Sequence, residues 1–153
     1  MDKKNLLDQI GRNILDELCE DARISFAELG KRVGLSPPAV IERVRRMEEA
    51  GIIKGYHADV ELKEIGLPVM AFLQLRCPPE KYEKVISLSN KLTEVRECHH
   101  VSGSNSFVFR VAVASIADLE EIISGFSVYG ETSTSIILSS PLRKHGRVLD
   151  DGS

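Results

Sequence analysis

Ser36-Pro37-Pro38-Ala39-Val40-Ile41-Glu42-Arg43-Val44-Arg45-Arg46-Met47-Glu48-Glu49-Ala50-Gly51 is the stretch whose reading decides the fold. Ser36 is a good N-cap, and Pro37 suits the first helical position, where a backbone N–H would have had no partner. Val40, Ile41, Val44 and Met47 recur at helical steps, and Gly51 suits the left-handed conformation just past a helix end. With Val40, Val44 and Met47 turned inward, Pro38, Glu42, Arg43, Arg45, Arg46 and Glu49 fall on or beside the outer face. About 14 residues make a helix of ~21 Å. Its N-terminal half fits a major groove ~12 Å wide while its C-terminal half leaves it.

Upstream, Ser25-Phe26-Ala27-Glu28 has the spacing of a capping box, in which Ser25 accepts from a backbone N–H and Glu28 reaches back to Ser25. The helix it opens stops at Gly34, and only Leu35 separates that glycine from Ser36. Before it, Leu7, Ile10, Ile14 and Leu18 follow Asp8 at three- and four-residue steps, which predicts an amphipathic packing helix over roughly 9–20. Two helices joined by a short glycine-containing turn and packed by an earlier one form a helix-turn-helix. Ser36, Pro38, Ala39, Glu42 and Arg43 are the expected base-side positions, and Ser25, Arg45, Arg46 and Lys54 complete the expected DNA contacts. Two readings of the arginines stay open. By themselves they make a solvated face with pairs such as Glu42 to Arg46, and the Arg43 guanidinium serves equally to brace the turn.

Charge supports the DNA reading locally. The 153 residues carry a net charge of −3, which does not mark the whole chain as a nucleic-acid binder. Residues 1–22 hold six acids against three bases, whereas residues 23–54 hold seven bases against four acids, a net of +3. No apolar run reaches the ~18 residues of a membrane span, and Met1-Asp2-Lys3-Lys4-Asn5 lacks the apolar stretch of a secretory signal. A cytoplasmic, nucleoid-associated location is expected.

Past Gly51, residues 52–60 read as a short strand or wing, with Lys54 free to touch a phosphate. Pro68 then opens an apolar strand through Leu75, too apolar for a fully wet face, which Pro78-Pro79 ends. A helix to about Leu92, strands near 95–102 and 106–114 around Gly103-Ser104-Asn105, a helix through Leu119, Ile122 and Phe126, and a strand over 132–139 follow. That β-α-β-β-α-β order is the ferredoxin-like motif. The expected class is α+β, with a helix-turn-helix domain over 1–60 and a ferredoxin-like domain over 61–153. Residues 144–153 read as a fraying polar tail.

Residues 22–30, Gly34-Leu35-Ser36 followed by Val40, and the run from Glu42 to Tyr56 resemble the leucine-responsive and asparagine-responsive regulators, the Lrp/AsnC family. Val101-Ser102-Gly103 and Thr132-Ser133-Thr134 resemble the same family's effector and oligomerisation domain. The resemblance implies a transcription regulator on double-stranded DNA, dimers pairing through the C-terminal sheets, assembly toward octamers, and a small-molecule effector, commonly an amino acid. It places effector contacts at Val101, Ser102, Gly103, Ser104, Asn105, Ser106, Thr132 and Thr134. Two departures stand out. The family commonly has an aromatic and an aspartate after the hairpin glycine, where this chain has Ser104-Asn105-Ser106 and no carboxylate for an α-ammonium group. Gly11 stands where an acid is common, and is expected to shift the start of the first helix.

Alternative readings are local. Gly103-Ser104-Asn105 is by default a hairpin turn, and Thr132 and Thr134 suit a strand on propensity. Neighbouring Cys98, His99 and His100 alternate faces on a strand and do not share an ion easily. No metal and no cofactor are expected. Cys98 lacks an oriented base and an oxyanion site, so no enzyme is expected, with catalysis on the ferredoxin-like domain the remote rival. The closer rival is an effector-independent nucleoid protein that wraps DNA.

Overall fold

In the computed structural model, which describes residues 3–142, the chain divides into two compact units, one reaching Asp59 and one running from Val60 to Pro141. The expected tail over 144–153 lies outside the described residues. Among the described residues no helix is long and apolar enough to cross a membrane.

The first unit holds α1 (Gln9–Glu20), α2 (Phe26–Val33) and α3 (Pro37–Glu49) around Ile14, Leu29, Val40, Val44 and Met47, all essentially sealed from solvent. Asp8 caps α1 by accepting the Gly11 N–H at 2.8 Å. The same carboxylate takes both terminal nitrogens of Arg43, at 2.6 and 2.7 Å, and so ties the start of α1 to the middle of α3. Arg43 in return holds the Asp8 carboxyl down at about 2, helped by the Gly11 N–H.

Gly11 does not shift the helix start. A short 3-10 turn, Lys3–Leu6, lays buried Leu6 over α1, and a Cβ on Gly11 would stand 1.8 Å from the Leu6 carbonyl oxygen. Glycine is there because the backbone passes so close.

The capping box is half formed. Ser25 accepts the Glu28 N–H at 3.1 Å, but the Glu28 carboxylate turns along the helix to Arg32 and Lys31. Gly34 takes the left-handed conformation, φ 72°, and the Leu35 N–H returns to the Gly30 carbonyl at 2.9 Å. Ser36 has N-cap geometry without a side-chain cap bond. At the other end of α3, Ile52 N–H to Met47 carbonyl and Gly51 N–H to Glu48 carbonyl, both 2.9 Å, form a Schellman motif.

No strand forms over 52–60 among the described residues. A strand needs a neighbour for its N–H and C=O groups, and no paired strand lies beside this segment among the described residues. Tyr56 instead donates to Glu48 at 2.8 Å and folds the segment back toward α3.

The second unit is a four-stranded antiparallel sheet in the order β2-β3-β1-β4, from β1 (Val69–Arg76), β2 (Val95–His100), β3 (Phe107–Val113) and β4 (Glu131–Ile136). The connections α4 (Tyr82–Lys91) and α5 (Ile116–Ser127) complete the ferredoxin-like arrangement. Ala71, Leu73, Leu75, Phe107, Phe109 and Val111 join Val85, Leu119 and Phe126 in the core, where the Phe109 and Phe126 rings lie 4.4 Å apart. Within one chain the other face of β1 is uncovered, so Phe72 is 42% exposed. β4 ends earlier than the apolar run through Leu138 predicts. Ile136 faces Ala71 and the Ile137 N–H reaches Met70, after which β1 has almost run out, and Leu138 is 94% exposed.

Two outcomes test this packing. Alanine normally improves a helix interior over glycine; Gly11→Ala is expected to destabilise the chain by about 1–3 kcal/mol in urea unfolding, through overpacking against Leu6. Asp8→Asn keeps a capping oxygen but loses the charge. Because the Asp8 side chain is 44% exposed, solvent screening keeps that loss to roughly 0.2–1 kcal/mol. The folded carboxyl titrates below its ordinary value, so the stabilisation is complete above about pH 4 and fades toward pH 2. Wild type and Asp8→Asn should therefore converge in stability across that window.

Candidate DNA interface and effector cleft

α3 is positioned by buried Val40, Val44 and Met47, and its opposite side is open. Ser25, Ser36, Pro38, Glu42, Arg45 and Lys54 are exposed, while Ala39, Arg43 and Arg46 are partly so. Ser25 is occupied as the α2 cap. Of the two roles the sequence leaves open for Arg43, the geometry shows the bracing one: its terminal nitrogens face Asp8, and 26% of its side chain is exposed.

Arg45 lies between Glu42, at 2.8 Å, and Glu49, all three well exposed. Arg45 lowers the Glu42 carboxyl, and Glu42 raises the Arg45 guanidinium. The expected pairing of Glu42 with Arg46 is thus replaced by Glu42 with Arg45. Among the described residues neither Arg46 nor Lys54 has an ion pair within 4 Å. Ile41, read from the sequence as part of the apolar side, is 45% exposed. Three residues past Pro38 and four before Arg45, it lies on the outer face, and the exposed Pro37-Pro38 pair beside it was the signal for an apolar leading turn.

In the second unit the hairpin between β2 and β3 closes with the Val101 N–H on the Ser106 carbonyl at 3.0 Å, and Gly103 turns it at φ 113°. Ser102 and Ser104 are exposed. Asn105 donates to Gln74 at 3.0 Å, which ties the hairpin to β1. Ser106 does not contact an effector in this arrangement. It is buried, its hydroxyl donates to the Cys77 carbonyl at 2.9 Å and accepts the Cys77 N–H at 3.2 Å, and its own N–H donates to Leu75. Ser106 is therefore a pin between β1 and β3.

Ser104 and Asn105 meet Thr132 and Ser133 around a cleft of ≈ 200 Å³, also lined by Arg76 and Glu131. Thr134 lies further along β4, opposite Leu73, and does not line it. Val101, Ser102 and Gly103 belong to the hairpin but not to the lining. Arg76 and Glu131 escape sequence reasoning, because only the pairing of β1 with β4 brings them opposite each other. A larger hollow of ≈ 350 Å³ beside α4, lined by Glu83, Lys84, Ser87, Leu88, Lys91 and Tyr129, contains none of the expected residues.

The Cys98 to His100 run divides as strand alternation requires. His99 meets Glu97 at 3.1 Å, whereas the His100 ring lies 4.9 Å from Tyr82 and 5.1 Å from Phe107. Partial burial of its sulfur pushes the Cys98 thiol up, away from the thiolate a nucleophile needs.

Known proteins match both units. A winged helix-turn-helix DNA-binding model matches residues 7–54, and the Lrp/AsnC ligand binding domain matches residues 70–146. The HTH-type transcriptional regulator LrpC of Bacillus subtilis is 38% identical over 141 residues, 92% of this chain and 98% of its own. Its structure aligns with a TM-score of 0.86 over 90% of this chain and 99% of LrpC, at 37% identity. The leucine-responsive regulatory protein of Escherichia coli is 39% identical over 120 residues, 76% of this chain and 73% of that protein. A feast or famine regulatory protein from M. tuberculosis, complexed with L-methionine, aligns with a TM-score of 0.85 at 32% identity, over 92% of this chain and 97% of that one. The chain belongs to the Lrp/AsnC family, as a transcription regulator whose helix-turn-helix DNA-binding domain is joined to the family's ligand-binding domain.

Proposed function

We propose that the chain acts as a homodimer that sets two copies of α3 in successive major grooves of double-stranded DNA and answers to a free amino acid bound at the hairpin cleft. The observation that carries this reading is the open face of α3, which combines a polar and apolar leading half with cations in its trailing half and just beyond. Ser36, Pro38, Ala39, Ile41 and Glu42 face base edges, where a carboxylate accepts from cytosine N4 and apolar groups meet thymine methyls. Arg45, Arg46, Lys54 and the N-terminus of α2 at Ser25 face phosphates. Arg45 is available although it is paired, since ion pairs this exposed are weak and phosphate oxygens replace carboxylate oxygens readily. Arg43 contributes by holding α3 in place.

Dimer formation is supported by the uncovered sheet face that leaves Phe72 in solvent. Higher assembly, toward an octamer, and a cytoplasmic site of action on nucleoid DNA complete the proposal. An amino acid is supported as the effector by the small cleft beside the hairpin and by the L-methionine complex of the M. tuberculosis relative.

The expected behaviour in DNA titrations is specific to each residue. If a dimer neutralises about eight phosphates, log K falls with log salt at a slope near −7. Arg46→Ala and Lys54→Ala weaken binding to all sequences and flatten that slope by about one for each phosphate left unneutralised. Glu42→Ala and Ile41→Ser leave the slope in place but reduce the preference for the selected site over a mismatched one by about tenfold. Arg43→Ala lowers folding stability. Unchanged DNA binding in Arg46→Ala, Lys54→Ala and Glu42→Ala together would overturn the assignment of α3.

A further inference from the structure

The acid missing from the hairpin has a structural counterpart on a different strand. Arg76 is the last residue of β1 and Glu131 the first of β4, and the two are direct partners in the antiparallel register. Directly opposed side chains project from the same face of a sheet, so a guanidinium and a carboxylate stand side by side at the end of the sheet. Both are exposed, both line the ≈ 200 Å³ cleft with Ser104, Asn105, Thr132 and Ser133, and among the described residues neither makes an ion pair within 4 Å, even with the other. Their backbones are held at short range by Gly130, where a Cβ would stand 2.1 Å from the Arg76 carbonyl oxygen. A side chain there would push the start of β4 away from the end of β1, so the glycine keeps the two charges on one rim.

We infer that Arg76 and Glu131 form a subsite for a zwitterion, with the guanidinium taking the α-carboxylate of a free amino acid and the carboxylate taking its α-ammonium group. Arginine presents a planar fork that matches a carboxylate, and charge-assisted bonds are roughly twice as strong as neutral ones. A ligand carrying both charges on one carbon spans such a pair, whereas a simple anion meets Glu131 and a simple cation meets Arg76, each as a like charge. The cleft volume points the same way, since drug-sized ligands occupy about 300–1,000 Å³. Ser104, Asn105 and Ser133 are left to receive the ligand's side chain, which makes this end of the cleft the part that selects among amino acids. The inference rests on the effector reading above and names the residues that would carry it.

The test uses the full chain and each of the twenty L-amino acids, scored first by thermal denaturation and then, for the one giving the largest shift, by calorimetric titration. Its amide, which lacks the carboxylate charge, and its α-hydroxy acid, which lacks the ammonium group, are titrated beside it. Wild type is expected to bind the parent amino acid at least tenfold more tightly than either analogue. Arg76→Gln is expected to weaken the amino acid about tenfold and to erase its advantage over the amide, and Glu131→Gln to do the same for the hydroxy acid. A variant that loses the parent ligand yet keeps its full discrimination between parent and analogue would overturn the assignment. Wild type that binds an amino acid and both variants that bind it equally well would overturn the subsite while leaving the effector reading intact. Absence of any response in wild type would overturn both. The analogue comparison in wild type needs no substitution, so it remains decisive if a variant folds poorly.

Discussion

The carboxylate of Asp8 is the group on which the first unit depends. It closes the start of α1 through the Gly11 N–H and grips the Arg43 guanidinium through both oxygens, so one group fixes a helix start and the angle of the recognition helix together. Neither bond is strong by itself in so exposed a place. Their effect is geometric, because α3 is one of three short helices and its outward face is set by how it leans on α1. That geometry also sorts the cations. Arg43 is drawn inward, Arg45 lies among carboxylates, and among the described residues Arg46 makes no ion pair within 4 Å, so a cluster that looks uniform in sequence becomes three kinds of arginine.

Close backbone approach shapes both units in the same way. Gly11 lets Leu6 settle over α1, Gly30 lets the turn before α3 close, and Gly130 lets β4 begin against the end of β1. In each place a Cβ would stand inside another residue's carbonyl oxygen, so the position excludes side chains by space and not by dihedral angle. Ser106 adds a polar version of the same constraint. Its hydroxyl both donates to and accepts from the backbone of Cys77, which fixes the hairpin of β2 and β3 against β1 and leaves the exposed hairpin residues on a rigid base. A cleft held in this way is preformed and needs little ordering when a ligand enters.

Local signals in the sequence carried the elements well. Asp8, Ser25, Gly34, Pro37 and Gly51 each mark a helix end by a mechanism confined to a few neighbours, and the bounds of α1 and α3 follow from them. The order of strands and helices in the second unit was legible for the same reason. What escaped was set by partners distant along the chain. Residues 52–60 have strand composition but no strand beside them among the described residues, and Leu138 continues an apolar run past the end of β1. Ser106 reads as a failed ligand contact because its true partner, Cys77, is 29 residues away. Arg76 and Glu131 carry no local motif, and only the register of β1 with β4 joins them. The face of α3 was therefore legible from local spacing, and the lining of the cleft only in part.

The central claim is that α3 reads the major groove as a two-fold pair, and a footprint tests it most directly. The full chain would be used to select duplexes from a random pool, and the enriched sequence probed by guanine N7 methylation and by hydroxyl radicals. Two major-groove patches of methylation protection, related by a two-fold axis and centred about 10–10.5 base pairs apart, are the predicted result. Protection confined to the minor groove, or a single patch without two-fold symmetry, would contradict it.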